Sequence, residues 1–212
     1  MPRAVPDFRH EAAAHAAGAL CVAGIDEVGR GPLAGPVTAA AVHLDPGAIP
    51  PGLTDSKQLT ARARARLAAL LMECAEVSIA HATVEEIDAL NIFHASQLAM
   101  TRAAAGLARR PDHILVDGRF VPPGLPCAAQ AIVKGDCKSL SISAASIVAK
   151  VCRDTLMVDL AQQYPGYGWE TNAGYPTKVH LSGLQNLGVT PYHRRSFAPV
   201  HKMLYQEVSI TR

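Results

Sequence analysis

The chain has 212 residues, with hydrophobic residues at 49%, charged residues at 18% and aromatic residues at 5%. That mix can fill a core and excludes a disordered chain, and the scarcity of rings leaves Ala, Val, Leu and Ile to build it. A net charge of +2 permits a nucleic-acid partner without indicating one.

The elements follow in chain order. Residues 7–17 are rich in Ala and predict a short helix. An apolar run from Leu20 to Ile25 then ends abruptly at Asp26-Glu27 and a Gly/Pro-rich turn. Val37 to Leu44 is a second apolar run, bounded by Pro36 and Pro46, and the two predict a hairpin joined by a tight turn. Thr60 to Ala75 reads as a helix with Leu67, Leu70, Leu71 and Cys74 on one face. Val77 to Ala82 predicts a third strand, and Thr83-Val-Glu-Glu86 is a capping-box pattern that starts a helix. Asn91 to Arg109 carries helical spacing and stops before Pro111. Two short strands follow, His113 to Val116 ending at Asp117 and Ala128 to Val133 ending at Lys134-Gly135-Asp136. Ser143 to Gln162 is a helix of small and apolar residues with Lys150 and Arg153 one turn apart, and the tail from Thr177 predicts two short helices around His193-Arg194-Arg195. Strands first and helices interleaved later predict an α/β fold, a mixed sheet flanked by helices.

The 5 cysteines are odd in number and form no C-x-x-C pair, so zinc-ribbon and redox motifs are excluded. Asp7, Arg9, His10 and Glu11 interrupt any signal-peptide core, and no apolar run approaches the ~20 residues of a membrane span. The expectation is a reduced, cytoplasmic setting without a membrane.

Asp26, Asp117 and Asp136 each fall just past an apolar strand. Sites in open α/β sheets gather at the carboxyl ends of strands, and acids collected there repel one another unless a cation sits among them. A lone Asp after a strand is as readily a turn residue. Asp26-Glu27 weighs against that reading, because one acid would suffice for a turn. An oxygen-rich set suits Mg²⁺ or Mn²⁺. The loop Gly29-Arg-Gly-Pro-Leu-Ala-Gly35 fails as a dinucleotide fingerprint, since its third glycine is one residue late and Pro32 has no amide to donate. It suits close approach of backbone to a sugar or phosphate, with Arg30 adding charge. Lys57 could contact phosphate, whereas Ser56 reads as a helix-start residue. Arg194 and Arg195 are either a solvated loop or, with Lys178 and Lys202, the lining of a nucleic-acid groove. Tyr175, between Gly174 and Pro176, is either a turn filler or a stacking platform. Ser143 and Ser146 lack a nucleophile elbow, and the 9 histidines form no H-E-x-x-H pair.

Gly24-Ile-Asp-Glu-Val-Gly-Arg-Gly-Pro-Leu-Ala-Gly-Pro36 resembles the opening motif of the type 2 ribonucleases H, the bacterial ribonuclease HII family. Asp55-Ser-Lys57, Glu86-Ile-Asp-Ala-Leu-Asn91, Val116-Asp-Gly118, Val133-Lys-Gly-Asp136, Ile142 to Lys150, Gly174-Tyr-Pro-Thr177 and His193-Arg-Arg-Ser-Phe197 match in the same order. The resemblance spans roughly residues 20–205 and implies a ribonuclease H-like fold. It also implies hydrolysis of the RNA strand of RNA–DNA hybrids and incision 5′ of single ribonucleotides embedded in duplex DNA, leaving 3′-hydroxyl and 5′-phosphate ends. Motif by motif, it places the family's acids on Asp26, Glu27, Asp117 and Asp136, its 2′-OH reader on Gly29, Arg30 and Gly31, and its stacking tyrosine on Tyr175. Gln58 follows Lys57 where the family often has a second lysine, which puts one phosphate contact in doubt.

A pair of Mg²⁺ or Mn²⁺ ions held by such acids explains why no Ser-His-Asp set is needed. The implied roles are removal of embedded ribonucleotides and of RNA primers, by a monomer with no obligate protein partner. The expected organisation is an N-terminal extension over 1–19, a catalytic core over 20–165 and a helical substrate-binding region over 166–212. A DNA nuclease with a similar acidic site, and a non-catalytic nucleic-acid binder, remain open alternatives.

Overall fold

Val22–Val28 (β1) and Val37–His43 (β2) pair antiparallel, from Ala23 opposite His43 to Val28 opposite Thr38. Loop 29–36 joins them, in place of the expected tight turn. The strand also runs further than its apolar residues: backbone pairing with Ala40 and Ala39 carries β1 through Asp26 and Glu27. These acids therefore lie inside the strand, not past it. His113–Asp117 (β4) runs parallel to β1, and Ala128–Ile132 (β5) runs parallel to β4. With Glu76–Ala82 (β3), the sheet order is β3-β2-β1-β4-β5. Three parallel strands thus stand side by side, and their carboxyl ends share one edge of a mixed sheet.

The structure, a computed structural model, describes residues 5–205. Residues 1–4 and 206–212, the outer ends of the expected extension and C-terminal region, lie outside them. Among the described residues no helix is long and apolar enough to cross a membrane.

Several of the helices start where side chains supply caps. Thr60 accepts from the Ala63 amide at the head of Ala61–Cys74 (α2). This helix buries Leu67, Ala68 and Leu71, whereas Leu70 on the flank and Cys74 at the helix end are exposed, so the buried face is narrower than expected. The capping box forms in both directions at Val84–Ala105 (α3): the Thr83 amide donates to Glu86 Oε2 (2.9 Å) and the Glu86 amide to Thr83 Oγ1 (3.3 Å). Asn91 breaks α3 with φ 66°, and its Oδ1 then accepts from the Phe93 and His94 amides, which restarts the helix. Arg9–Ala16 (α1) and Leu140–Gln163 (α4) match their expected positions, with α4 beginning earlier. Trp169–Asn172 (α5) was not foreseen, while Lys178–Leu187 (α6) and Ala198–Tyr205 (α7) flank the basic loop as expected.

Two compact units result. The first comprises residues up to Val28, Thr38–His81 and Ser96–Cys152, and the second Gly29–Val37, Ala82–Ala95 and the chain from Arg153 onward. In the first, Leu67 and Leu71 of α2 pack with Val42 of β2 and Ile147 of α4, each such side chain contributing about 1.5–3 kcal/mol by burial. Gly24 lets α4 close on β1, because a Cβ there would collide with the backbone of Ser141 and Ile142. The second unit concentrates the rings: Trp169 is buried with Met157 and Leu160 and stacks on Tyr167 at 5.0 Å between centroids.

Candidate active site

The strand register brings the acids together. Ile25 is the last β1 residue paired with β4, opposite Val116, so Asp26 and Asp117 are each the next residue along neighbouring parallel strands. Asp136 enters from the turn Gly135–Cys137 that follows β5. Lys134 takes the left-handed conformation (φ 56°) to make that turn, and the Gly135 amide donates to Asp117 Oδ1 (2.6 Å). Asp26 and Asp136 are buried, and Glu27 and Asp117 are half-buried. The Glu27 amide donates to Asp26 Oδ1 (2.8 Å).

Electrostatics tie the four together. Burial pushes the Asp26 carboxyl well above the ordinary range, and the charges of Glu27, Asp117 and Asp136 push the same way against a hydrogen bond from Ser146. Asp117 is raised by burial and then by Asp136, and backbone amides of Gly135, Asp136 and Gly118 offset part of that. Lys57, although exposed, belongs to this field. Burial works to lower its pKa, yet Asp55, Asp136, Asp26 and Asp117 together hold it above the usual value.

Such a set holds its negative charge at a cost that a divalent cation would remove. Burial, followed by the charge of Asp136, pushes the Cys137 thiol up to about 11, so with no metal bound it stays protonated. Carboxylates with a protonated thiol fit a hard cation such as Mg²⁺ or Mn²⁺. Asp136 also shares a group with Asp55 and Cys137 whose ligand atoms lie within 4.8 Å of one another. Asp55 accepts from the Lys57 amide (2.9 Å) and thereby fixes the turn that carries Lys57.

The second unit holds the glycine loop. Gly29 has φ +92°, and a Cβ there would collide with the Arg153 guanidinium. Gly31 is exposed, and a Cβ on it would lie 3.2 Å from the Tyr175 ring. Arg30 is also exposed, its guanidinium 6.0 Å from the centre of the Phe93 ring. Tyr175 is 44% exposed while its backbone is held. Its carbonyl accepts from His180 Nδ1 (3.0 Å), which leaves His180 Nε2 to accept from Trp169 Nε1 (3.0 Å). His193 Nδ1 accepts from the Thr190 amide, so its Nε2–H points at His180 Nε2 (3.1 Å). Both rings are neutral in this arrangement. Burial, then the neighbouring His180, pulls His193 down to about 4.

The basic loop departs from its sequence reading. Arg194 lines no groove: it is fully buried, and its guanidinium donates to the carbonyls of Gly29, Arg30 and Gly35. Arg195 is exposed, with its amide bonded to Asp88. Arg153, which the sequence reading noted only as lying one turn from Lys150, is the counterpart of Arg194 and donates to the carbonyls of Ala34, Pro36 and Ala173. Its signal was a charged residue in the middle of a helix rich in small and apolar residues.

The family model for ribonuclease HII matches residues 23–203. The ribonuclease HII of Ruegeria pomeroyi is 68% identical over 202 residues, covering 95% of this chain and 86% of its own. The ribonuclease HII of Cereibacter sphaeroides is 64% identical over 211 residues, covering 100% of both. Among solved structures, the ribonuclease H2 of Pyrococcus horikoshii superposes with a TM-score of 0.74 at 30% identity, over 87% of this chain and 97% of that one. The chain therefore belongs to the ribonuclease HII family, and it is a metal-dependent hydrolase of the ribonuclease H type.

Proposed function

We propose that this chain hydrolyses the RNA strand of RNA–DNA hybrids and incises 5′ of single ribonucleotides embedded in duplex DNA, leaving 3′-hydroxyl and 5′-phosphate ends. The observation that carries the reading is the carboxyl cluster on adjacent strand ends, in which Asp26 is buried and repelled by Glu27, Asp117 and Asp136. Those four residues would hold Mg²⁺ or Mn²⁺, with Asp26 the principal ligand. When bound there, two such ions supply the charge stabilisation that attacking and leaving oxygens require.

The chain's own groups do the rest. Lys57 offers its ammonium to a phosphate beside the acids. Backbone groups of Gly29, Arg30 and Gly31 read the 2′-OH, the one feature that tells RNA from DNA at a site. Tyr175 offers its exposed ring for stacking on a sugar or base, and Arg195 adds charge to the same C-terminal region, residues 166–212. Residues 20–165 then form the catalytic core. The enzyme acts as a cytoplasmic monomer in ribonucleotide and RNA-primer removal.

The test compares a duplex containing one ribonucleotide with the same duplex in all-DNA form, with and without Mg²⁺. Cleavage only at the ribonucleotide, only with the metal, and with ligatable 3′-hydroxyl and 5′-phosphate ends is the expected result. Equal cleavage of both duplexes would instead indicate a DNA nuclease.

A further inference from the structure

Two guanidiniums are buried behind the glycine loop, Arg153 at 1% and Arg194 at 0% exposure. Their hydrogen bonds run to carbonyls: Arg194 to Gly29 (2.6 Å), Arg30 (3.0 Å) and Gly35 (2.9 Å), Arg153 to Ala34, Pro36 (both 3.0 Å) and Ala173 (2.9 Å). Burying two like charges against neutral oxygens is costly. Burial lowers Arg153 to about 10, and burial with the charge of Arg153 lowers Arg194 to about 9, so both stay cationic at neutral pH.

Peptide geometry says what that expense achieves. A trans peptide points its carbonyl and the following N–H in opposite directions. With the Gly29 and Arg30 carbonyls turned onto Arg194, the amides of Arg30 and Gly31 must turn away from it. Gly31 is exposed and carries no side chain to screen its amide. A charged donor on each carbonyl also polarises the peptide and strengthens the N–H on its far side.

We infer that Arg194, seconded by Arg153, is a positioning residue that sets which way the Gly29–Gly31 peptides face and so presents their amides to the substrate's ribose. This rests on the proposed reading of the loop as the 2′-OH reader. Lysine could keep the charge but not the fork that holds several carbonyls at once.

The experiment measures binding in an Asp26→Asn background, so that no cleavage intervenes, to a duplex with one ribonucleotide and to its all-DNA counterpart. The unaltered loop should prefer the ribonucleotide duplex. Arg194→Lys, with native circular dichroism, should erode that preference by about tenfold, while affinity for all-DNA duplex moves less than about threefold. A folded Arg194→Lys that keeps its preference overturns the inference. If that variant does not fold, Arg153→Lys is read the same way, and failure of both to fold would mark the arginines as purely structural and end the proposal. Should the unaltered loop show no preference at all, it is the ribose-reading role of the loop that fails, a distinct outcome.

Discussion

A buried carboxyl facing other carboxyls can shed its repulsion by taking up a proton or by sharing a cation. Asp26 is held well above its ordinary 3.8, so the folded protein keeps that proton to higher pH than the unfolded chain does. The resulting stabilisation is complete below the unfolded value and is lost as pH rises through the folded one. Metal-free protein should therefore be strained at neutral pH, and Asp26→Asn should hold or raise its stability there while gaining nothing near pH 4. Tyr175 sits at the same scale. Stacking is worth about 1–3 kcal/mol, so Tyr175→Ala should lose about tenfold or more in kcat/KM, whereas Tyr175→Phe keeps most of it. Equal activity of the alanine variant would make the ring a turn filler. Single residues were legible where a short motif names them, as with Asp26-Glu27 or Gly29-Arg-Gly31. Arg194 was not, because a basic loop residue reads as solvated until the carbonyls around it are seen.

Among the elements, α1 has a definite task. Glu11 is buried, and its Oε1 accepts from Ser139 Oγ (2.5 Å), Ser141 Oγ (2.6 Å) and the Ser141 amide (2.8 Å). Just before the helix, the Asp7 amide donates to Lys138 O and the Leu140 amide to Asp7 O. Residues 7–11 thus clamp the segment that follows Asp136. Glu11→Ala leaves buried donors without an acceptor and should cost about 2–4 kcal/mol in urea unfolding, with cleavage falling beyond the loss of folded protein. Unchanged stability would contradict this. The sequence predicted the helix from its alanines but nothing of this clamp, whose partners lie more than a hundred residues away. Capping boxes and strand-flanking prolines are local and were legible. The continuation of β1 through its acids was not, since it depends on pairing with β2.

For the whole molecule, the alternation of apolar runs and amphipathic segments predicted a mixed α/β sheet, and the sheet order β3-β2-β1-β4-β5 agrees with it. The order itself is not a sequence property: parallel pairing of β1, β4 and β5 is decided by what packs over them. That pairing collects acids more than a hundred residues apart in the chain at one edge, and the central claim is that this cluster is the metal-holding catalytic centre. The most direct test is single-turnover cleavage of a duplex with one embedded ribonucleotide by Asp26→Asn at saturating Mg²⁺, its fold verified beforehand. Substrate binding with no detectable cleavage is the predicted result. Turnover near that of the unaltered enzyme would contradict it.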